Sequence, residues 1–417
     1  MRMSKPVKII IVGNGFGGTY TLKHLDKIYK RNKNVELTLV GEKNYFLFTP
    51  LLHEVATGGI NRENIVESIH KVLGRCLSSF YLGKVDQVNL KDKTIKVGEA
   101  LLQYDFLVLA TGAQTNYYDI PGAKEYTLPL KSIEDAVKIK NHCIAQMEKA
   151  SHMQSGPERK KVLSFVIVGG GATGVELAAE MQEFLVETFG HYMHKKIIND
   201  ISITLVQKMS ELIPQFPAKI RQTSLKILTK KGIKVLLDTE VKEVTQNHIV
   251  LGNNEKIETE MVLWVAGIKP TKINFDTEID LAPNGKIAVN QFLQLNQYPE
   301  VFALGDMASY VPKGQNTPLP TLAQVAVDQA KTVAYNIEHL RRGKNLKSYS
   351  YKSRGSLISL GQWMAAGRIY GFNISGRITW WIWRTVYLMK LLSWKKKVKV
   401  AIGWTMNLFS PRDVSEL

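Results

Sequence analysis

VKIIIVGNGFGG, residues 7–18, carries an apolar, β-branched run straight into glycines at 13, 15 and 18. FVIVGGGATGVE, residues 165–176, repeats the arrangement with Gly169, Gly171 and Gly174. Each run reads as a buried strand, and each is followed by a helical stretch, at 19–25 and 175–181. In that setting Gly-x-Gly-x-x-Gly is a dinucleotide fingerprint. The first glycine permits the tight turn, the second lets a pyrophosphate approach the backbone, and the third lets helix and strand pack closely. The free N–H groups at the helix start then face the phosphates. Two such units predict two dinucleotides, a flavin and a nicotinamide one held face to face, and hence electron transfer.

The 417 residues suffice for two or three domains, each with a core. Charge is uneven. Lys and Arg number 55 against 37 Asp and Glu, and residues 339–412 hold fifteen of the basic residues and no acidic one. A basic region of this kind points to an anionic surface, either nucleic acid or membrane headgroups. Cys76 and Cys143 lie far apart and outside any Cys-x-x-Cys, which argues against a disulfide framework, a metal site or a dithiol redox centre. Residues 1–8 run directly into the first strand, so no signal peptide is expected, and a cytoplasmic, reducing compartment fits.

Along the chain, 35–40 reads as a second parallel strand, 84–90 and 93–97 as an exposed antiparallel excursion, and 104–113 as an apolar strand ending at a glycine turn. Residues 132–147 have helical period behind a Ser-x-x-Asp start, and 151–161 read as a loop. Strands at 201–206 and 261–267 mirror those at 35–40 and 104–112, which a duplicated nucleotide-binding fold explains. A strand at 301–306 ends in Gly-Asp, and 321–337 is helical. The expected fold is α/β: two Rossmann-like domains of the glutathione reductase type plus a C-terminal membrane-associating region. Its boundaries are 1–118 and 285–345 for the flavin domain, 119–284 for the NADH domain and 346–417 for the last region.

ITWWIWRTVYLMKLLSW, 378–394, is too short to span a bilayer and carries Arg384 and Lys390, each costing about 2.5–3.5 kcal/mol at the bilayer centre. Its tryptophans suit the headgroup boundary, and KKKVK at 395–399 suits an anionic leaflet. The stretch is apolar nearly all round, so one side is open to protein packing, and 400–409 reads as a second short interfacial element. The clustered Trp, embedded in Leu, Ile and Val, speaks against a nucleic-acid groove.

Several blocks then occur in order: FLFTPLLHEVATG at 46–58, the two fingerprints, ATG at 110–112, FALGDMA at 302–308, AQVAVDQ at 323–329, and the Trp-rich tail through Gly403-Trp404 and Arg412-Asp413-Val414. Together they resemble the type II NADH dehydrogenases, single-chain, non-pumping NADH:quinone oxidoreductases that carry FAD. The resemblance implies FAD along Gly13, Gly15, Phe16, Gly17 and Gly18, with Glu42 towards its ribose, Thr111 and Gly112 at the crossover, and Gly305, Asp306 and Ala323 on the ribitol side. It implies NADH at Gly169, Gly171, Ala172, Thr173 and Gly174, with Gln207 and Gly267. Glu176 would sit near nicotinamide and flavin as a proton relay; it also reads as an acid complementing the helix dipole. Ala323, Gln324 and Gln329 resemble the quinone motif. Residues 324 and 329 lie roughly 140° apart on a helix, which favours Gln324 and leaves a packing glutamine as the alternative. The expected partners are a membrane quinone and an anionic membrane surface, without nucleic acid. The expected location is the cytoplasmic side of the inner (plasma) membrane, peripheral, and a homodimer stays open.

Two positions depart from the family pattern. Where an acid binds the adenosine ribose, the FAD half has Gly41 followed by Glu42, and the NADH half has Gln207 followed by Lys208. An acid there repels a 2′-phosphate, so its absence predicts that NADPH is tolerated alongside NADH. Three rivals remain: a sulfide:quinone oxidoreductase, which needs redox cysteines beside its flavin; a reductase of a protein acceptor; and a dinucleotide-binding sensor at the membrane surface. Removal of residues after about 375 is expected to free the protein from membranes and leave flavin reduction intact.

Overall fold

The computed structural model describes residues 5–30, 34–73, 78–353 and 355–416. The leader reading of residues 1–4 and the role of Cys76 lie outside the described residues. The chain forms two compact units.

The first unit comprises residues up to Leu47, Val66–Gln114 and Ile268–Lys352. Its six-stranded sheet runs Gln294–Leu295, Tyr298–Ala303, Phe106–Leu109, Val7–Val12, Val35–Gly41, Ser78–Leu82. Val7–Val12 pairs in parallel with both neighbours, Ile9 facing Leu37 and Phe106. Strands covered on both faces read as unbroken apolar runs, and Ile9 to Val12 are all buried. The Phe16–Tyr29 and Ala323–Arg341 helices pack on one another. The antiparallel strands Val85–Asn89, Thr94–Val97 and Ala100–Gln103 are not a wholly exposed excursion, because Val85, Val88, Ile95 and Val97 join the unit's apolar core.

The second unit comprises Phe48–Ile65, Thr115–Gly267 and the residues from Ser353 onward. Its parallel sheet runs Thr127–Pro129, Met261–Trp264, Ser164–Val168, Ser202–Val206, Lys234–Leu236. The fingerprint strand again lies between the strand that follows it and one from much later in the chain, as in the first unit. Ser132 caps the Ile133–Ser151 helix, its Oγ accepting the Asp135 N–H at 3.0 Å while Asp135 Oδ2 accepts the Ser132 N–H at 2.9 Å. The loop read at 151–161 contains a helix, Pro157–Val162, pinned by buried Arg159, whose Nε donates to Asp200 Oδ2 at 2.8 Å. Proline suits a first helical turn, so its presence there did not mark a loop.

The C-terminal residues add a three-stranded antiparallel sheet, Gly355–Ser359, Ala365–Ile369, Phe372–Gly376, and two helices, Arg377–Lys390 and Trp394–Met406. They group with the second unit rather than standing apart, as does Phe48–Ile65. Residues 268–284 group with the first unit, where Asn274 and Phe275 pair with Gln87 and Val88. Among the described residues no helix is long and apolar enough to cross a membrane.

Candidate active site

In the first unit Gly13 has φ +103°, and a Cβ there would lie 2.3 Å from the Ala110 carbonyl oxygen. A Cβ on Gly18 would lie 1.7 Å from the Gly13 oxygen, and one on Gly17 3.2 Å from Leu304. Gly15 differs: a Cβ there meets no protein atom within 4 Å. The helix that follows begins beside that open space, with no side-chain cap at Gly15 and no acid in its first turn to oppose an anion. These are the features a pyrophosphate cradle requires, and FAD fits them. Phe16 packs edge-on against Phe46 at 5.1 Å. Gly41 closes its strand where the ribose acid was sought. A Cβ there would lie 2.6 Å from Asn14 Oδ1, and Asn14 Nδ2 is fixed by donating to the Lys43 and Tyr45 carbonyls at 2.7 Å. Glu42, next along, is exposed.

Further round this unit, Thr111 donates from N and Oγ1 to Met307 Sδ at 3.3 Å. Gly112 has φ +69° with nothing facing it. Gly305 has φ +72°, and its N–H is held by Gln329 Oε1 at 2.8 Å. Gln329 is buried and Ala323 and Gln324 are partly exposed, so the two glutamines differ in access. Asp306 faces Lys286, whose ammonium is pushed below its ordinary value by burial, with Asp306 offsetting part of that.

The second unit repeats the cradle. Gly169 has φ +114° and its Cβ would lie 2.5 Å from Ala266 Cα; on Gly174 it would lie 1.9 Å from the Gly169 oxygen; at Gly171 it would again meet nothing. Ala172 and Thr173 open an uncapped helix with no first-turn acid. Gly267 is forced by Tyr118, whose hydroxyl would lie 2.1 Å from a Cβ. Gln207 is buried, accepting the Gly170 N–H on Oε1 and donating from Nε2 to the Glu211 carbonyl, both at 3.0 Å.

Glu176 lies beyond the first turn and is buried, so the dipole reading does not describe it. Its Oε1 accepts the Ser359 N–H at 3.1 Å and its Oε2 is 3.8 Å from His53 Nδ1. Burial, reinforced by Glu180 and Glu54, raises its pKa to about 8, against the Ser359 hydrogen bond. Burial, then Arg412, lowers His53 to about 3. At neutral pH the contact therefore joins an uncharged imidazole to a protonated carboxyl, and it is not an ion pair.

Glu176 heads a row that sequence reasoning missed. Glu180 and Glu183 follow on the same helix face, Glu183 beginning a π-helical turn, Glu183–Thr188. Arg412 reaches Glu180 Oε2 at 2.7 Å and Glu183 Oε2 at 3.0 Å, and also donates to Thr57 Oγ1 at 3.1 Å. Lys231 Nζ is 2.8 Å from Glu183 Oε1. Glu54 accepts the Trp404 indole N–H at 2.5 Å, and Arg384 stacks between Trp380 and Trp404, its guanidinium 3.8 and 4.8 Å from the ring centres. Glu54, Glu180, Glu183, Arg384, Trp404 and Arg412 line a small polar cavity. Burial raises the carboxyls of Glu54 and Glu183, while the neighbouring carboxylates hold the Arg412 guanidinium above its ordinary value. The available signal was three glutamates at helical spacing in an apolar helix.

A family model described as pyridine nucleotide-disulphide oxidoreductase matches residues 7–330. The chain belongs to that family. A second family model, the NDH2 C-terminal domain, matches 353–413. The chain is similar to the type II NADH:quinone oxidoreductase of Mycobacterium tuberculosis, 29% identical over 422 residues, covering 97% of this chain and 89% of that one. It is also similar to NDH2 of Plasmodium falciparum, solved in complex with NADH, with a TM-score of 0.90 and 26% identity over 99% of this chain and 100% of that one. The sulfide:quinone oxidoreductase of Aquifex aeolicus shares the fold, with a TM-score of 0.76 at 16% identity, over 94% and 92% of the two chains. In this family member Cys143 is buried against Met261, and burial pushes its thiol up, which does not suit a redox cysteine.

Proposed function

We infer that this chain is a type II NADH:quinone oxidoreductase, a flavoenzyme that passes two electrons from NADH through FAD to a membrane quinone without pumping protons. The observation that carries this reading is the pair of steric cradles, each following a strand paired in parallel with both its neighbours, in a chain whose residues 353–413 match the NDH2 C-terminal domain. Bound FAD supplies the electron chemistry, accepting hydride and delivering two electrons. The residues proposed to hold it are Gly13, Gly15, Phe16, Gly17, Gly18, Thr111, Gly112, Gly305 and Asp306, with Glu42 and Ala323 at the margins. Those proposed for NADH are Gly169, Gly171, Ala172, Thr173, Gly174 and Gly267, with Gln207 bracing the loop.

NADH, quinone and one solvent proton give NAD⁺ and quinol, so the protein has a proton to supply. Glu176 is proposed to hold it, since its carboxyl is neutral at pH 7. Gln324 and Ala323 are proposed as quinone contacts, and Gln329 as the residue that fixes the Gly305 turn. The C-terminal helices are read as docking to an anionic leaflet, on the cytoplasmic side of the inner membrane. The test is purification in detergent, a flavin absorption spectrum, bleaching by NADH and recovery on adding quinone. A folded, colourless protein indifferent to NADH overturns the reading.

A further inference from the structure

The adenosine ribose of a dinucleotide lies outside the carboxyl end of the second strand of its sheet. Here that strand is Ser202–Val206, and Gln207, at its exit, is already committed to Gly170 and Glu211. The exit of the neighbouring strand, Lys234–Leu236, runs alongside: the Thr239 N–H bonds to the Gln207 carbonyl at 3.0 Å and the Asp238 N–H to the Met209 carbonyl at 3.1 Å. This pairing brings Glu240 to Lys208, with Oε2 2.9 Å from Nζ. Lys242, whose charge acts on Glu240 more weakly than that of Lys208, donates to Asn254 Oδ1 at 3.1 Å, and Glu211 is taken by Arg221 at 2.9 Å. Lys208, chiefly by its hydrogen bond, holds the Glu240 carboxyl below its ordinary range, so Glu240 is ionised at neutral pH.

Read from sequence, Gln207 followed by Lys208 is an invitation to a 2′-phosphate. The structure gives that lysine a carboxylate partner. We propose that Glu240, paired with Lys208, selects NADH against its 2′-phosphorylated counterpart at the adenosine end of the second cradle. The inference rests on the reading of that cradle as the NADH site. A 2′-phosphate brings more than one negative charge and must displace Glu240 to use Lys208, whereas a free 2′-hydroxyl leaves the pair intact. The acid missing from position 207 is thus supplied from the adjoining loop. Both side chains are solvent-exposed, so the discrimination weakens as salt rises.

The test is calorimetric binding of ADP-ribose and of 2′-phospho-ADP-ribose to the full-length holoprotein at low salt, for the wild type, Glu240→Gln, Lys208→Gln and the double variant. Glu240→Gln is expected to move the affinity ratio towards the 2′-phosphorylated fragment by about tenfold, the scale of removing one facing charge in partly screened surroundings. The double variant is expected to lose that gain, and kcat/KM for NADPH over NADH is expected to follow the binding ratio. A ratio within twofold of wild type in Glu240→Gln overturns the proposal, as does a gain that survives in the double variant. A wild type that binds neither fragment overturns the nucleotide reading beneath it.

Discussion

One methyl group separates two kinds of glycine in each cradle. At Gly13 it would sit 2.3 Å from a backbone oxygen at φ +103°, while at Gly15 it would touch no protein atom. Gly13→Ala is therefore expected to lower thermal stability and to abolish flavin retention together. Gly15→Ala is expected to hold stability within about 1 kcal/mol, the scale of a changed helix N-cap, yet still to lose flavin, because its methyl fills the space left for the pyrophosphate. Melting curves beside visible absorbance separate the two effects. Glu176 offers a pH test. With its pKa raised to about 8 from an ordinary 4.5, its contribution to stability is fully present below about pH 4.5 and is lost as pH rises through 8. Glu176→Gln keeps the uncharged form, so urea unfolding should show a shallower loss of stability between pH 5 and pH 8 than in the wild type. The same variant should remove any fall in quinone turnover near pH 8. An unchanged turnover profile would exclude Glu176 as the proton holder. The glycines and Glu176 were legible because motif and spacing fix them locally. His53, Glu54 and Arg412 were not, because only the folded chain brings residues so far apart in sequence onto one helix face.

The Arg377–Lys390 helix has two apolar faces with different employments. Trp380 and Trp383 are buried, Trp380 ring against Trp363 at 4.9 Å and Trp383 ring against Tyr387 at 4.6 Å. Ile378, Trp381 and Met389 project outward, joined by Trp394, Val398, Ile402 and Met406 from the next helix. An all-round apolar sequence could not say which face was which, since hydrophobicity is common to both. The lysines at 395–399 lie inside the second helix rather than in a linker before it, because nothing in the run breaks a helix. Replacing Ile378, Trp381 and Met389 together by serine is expected to weaken sedimentation with anionic vesicles at least tenfold, given about 1.5–3 kcal/mol per fully buried large apolar side chain. The melting temperature should stay near that of the wild type. Loss of folding instead would place this face in the core.

At the scale of the molecule, the tail is part of the nucleotide unit and not an appendage. Trp404 and Arg412 answer Glu54, Glu180 and Glu183, so cutting the chain near 375 strips buried carboxylates of their donors. The truncation read from sequence as a harmless release from membranes is now expected to destabilise the unit. Arg412→Ala isolates the cause: a loss of about 3–5 kcal/mol, the usual cost of orphaning a buried charge. The loss should be larger at pH 8 than at pH 5, because Glu183, whose carboxyl burial already raises and which keeps only Lys231 as an ion partner, takes up a proton more readily at the lower pH. Equal losses at both pH values would show that the ion pairs are not its source. The duplicated strand order was legible from paired motifs, whereas the allegiance of the tail was not, since its basic composition points outward and its two buried anchors are single residues.

The tryptophans carry an optical consequence. Six of the seven fall between positions 363 and 404, leaving Trp264 as the exception. Trp380, Trp383 and Trp404 are shielded, and Trp381 and Trp394 stand in solvent. Trp363 is partly exposed. Ultraviolet emission from this protein therefore originates largely in its last hundred residues, and a blue shift on contact with lipid would come chiefly from Trp381 and Trp394, without any attached dye.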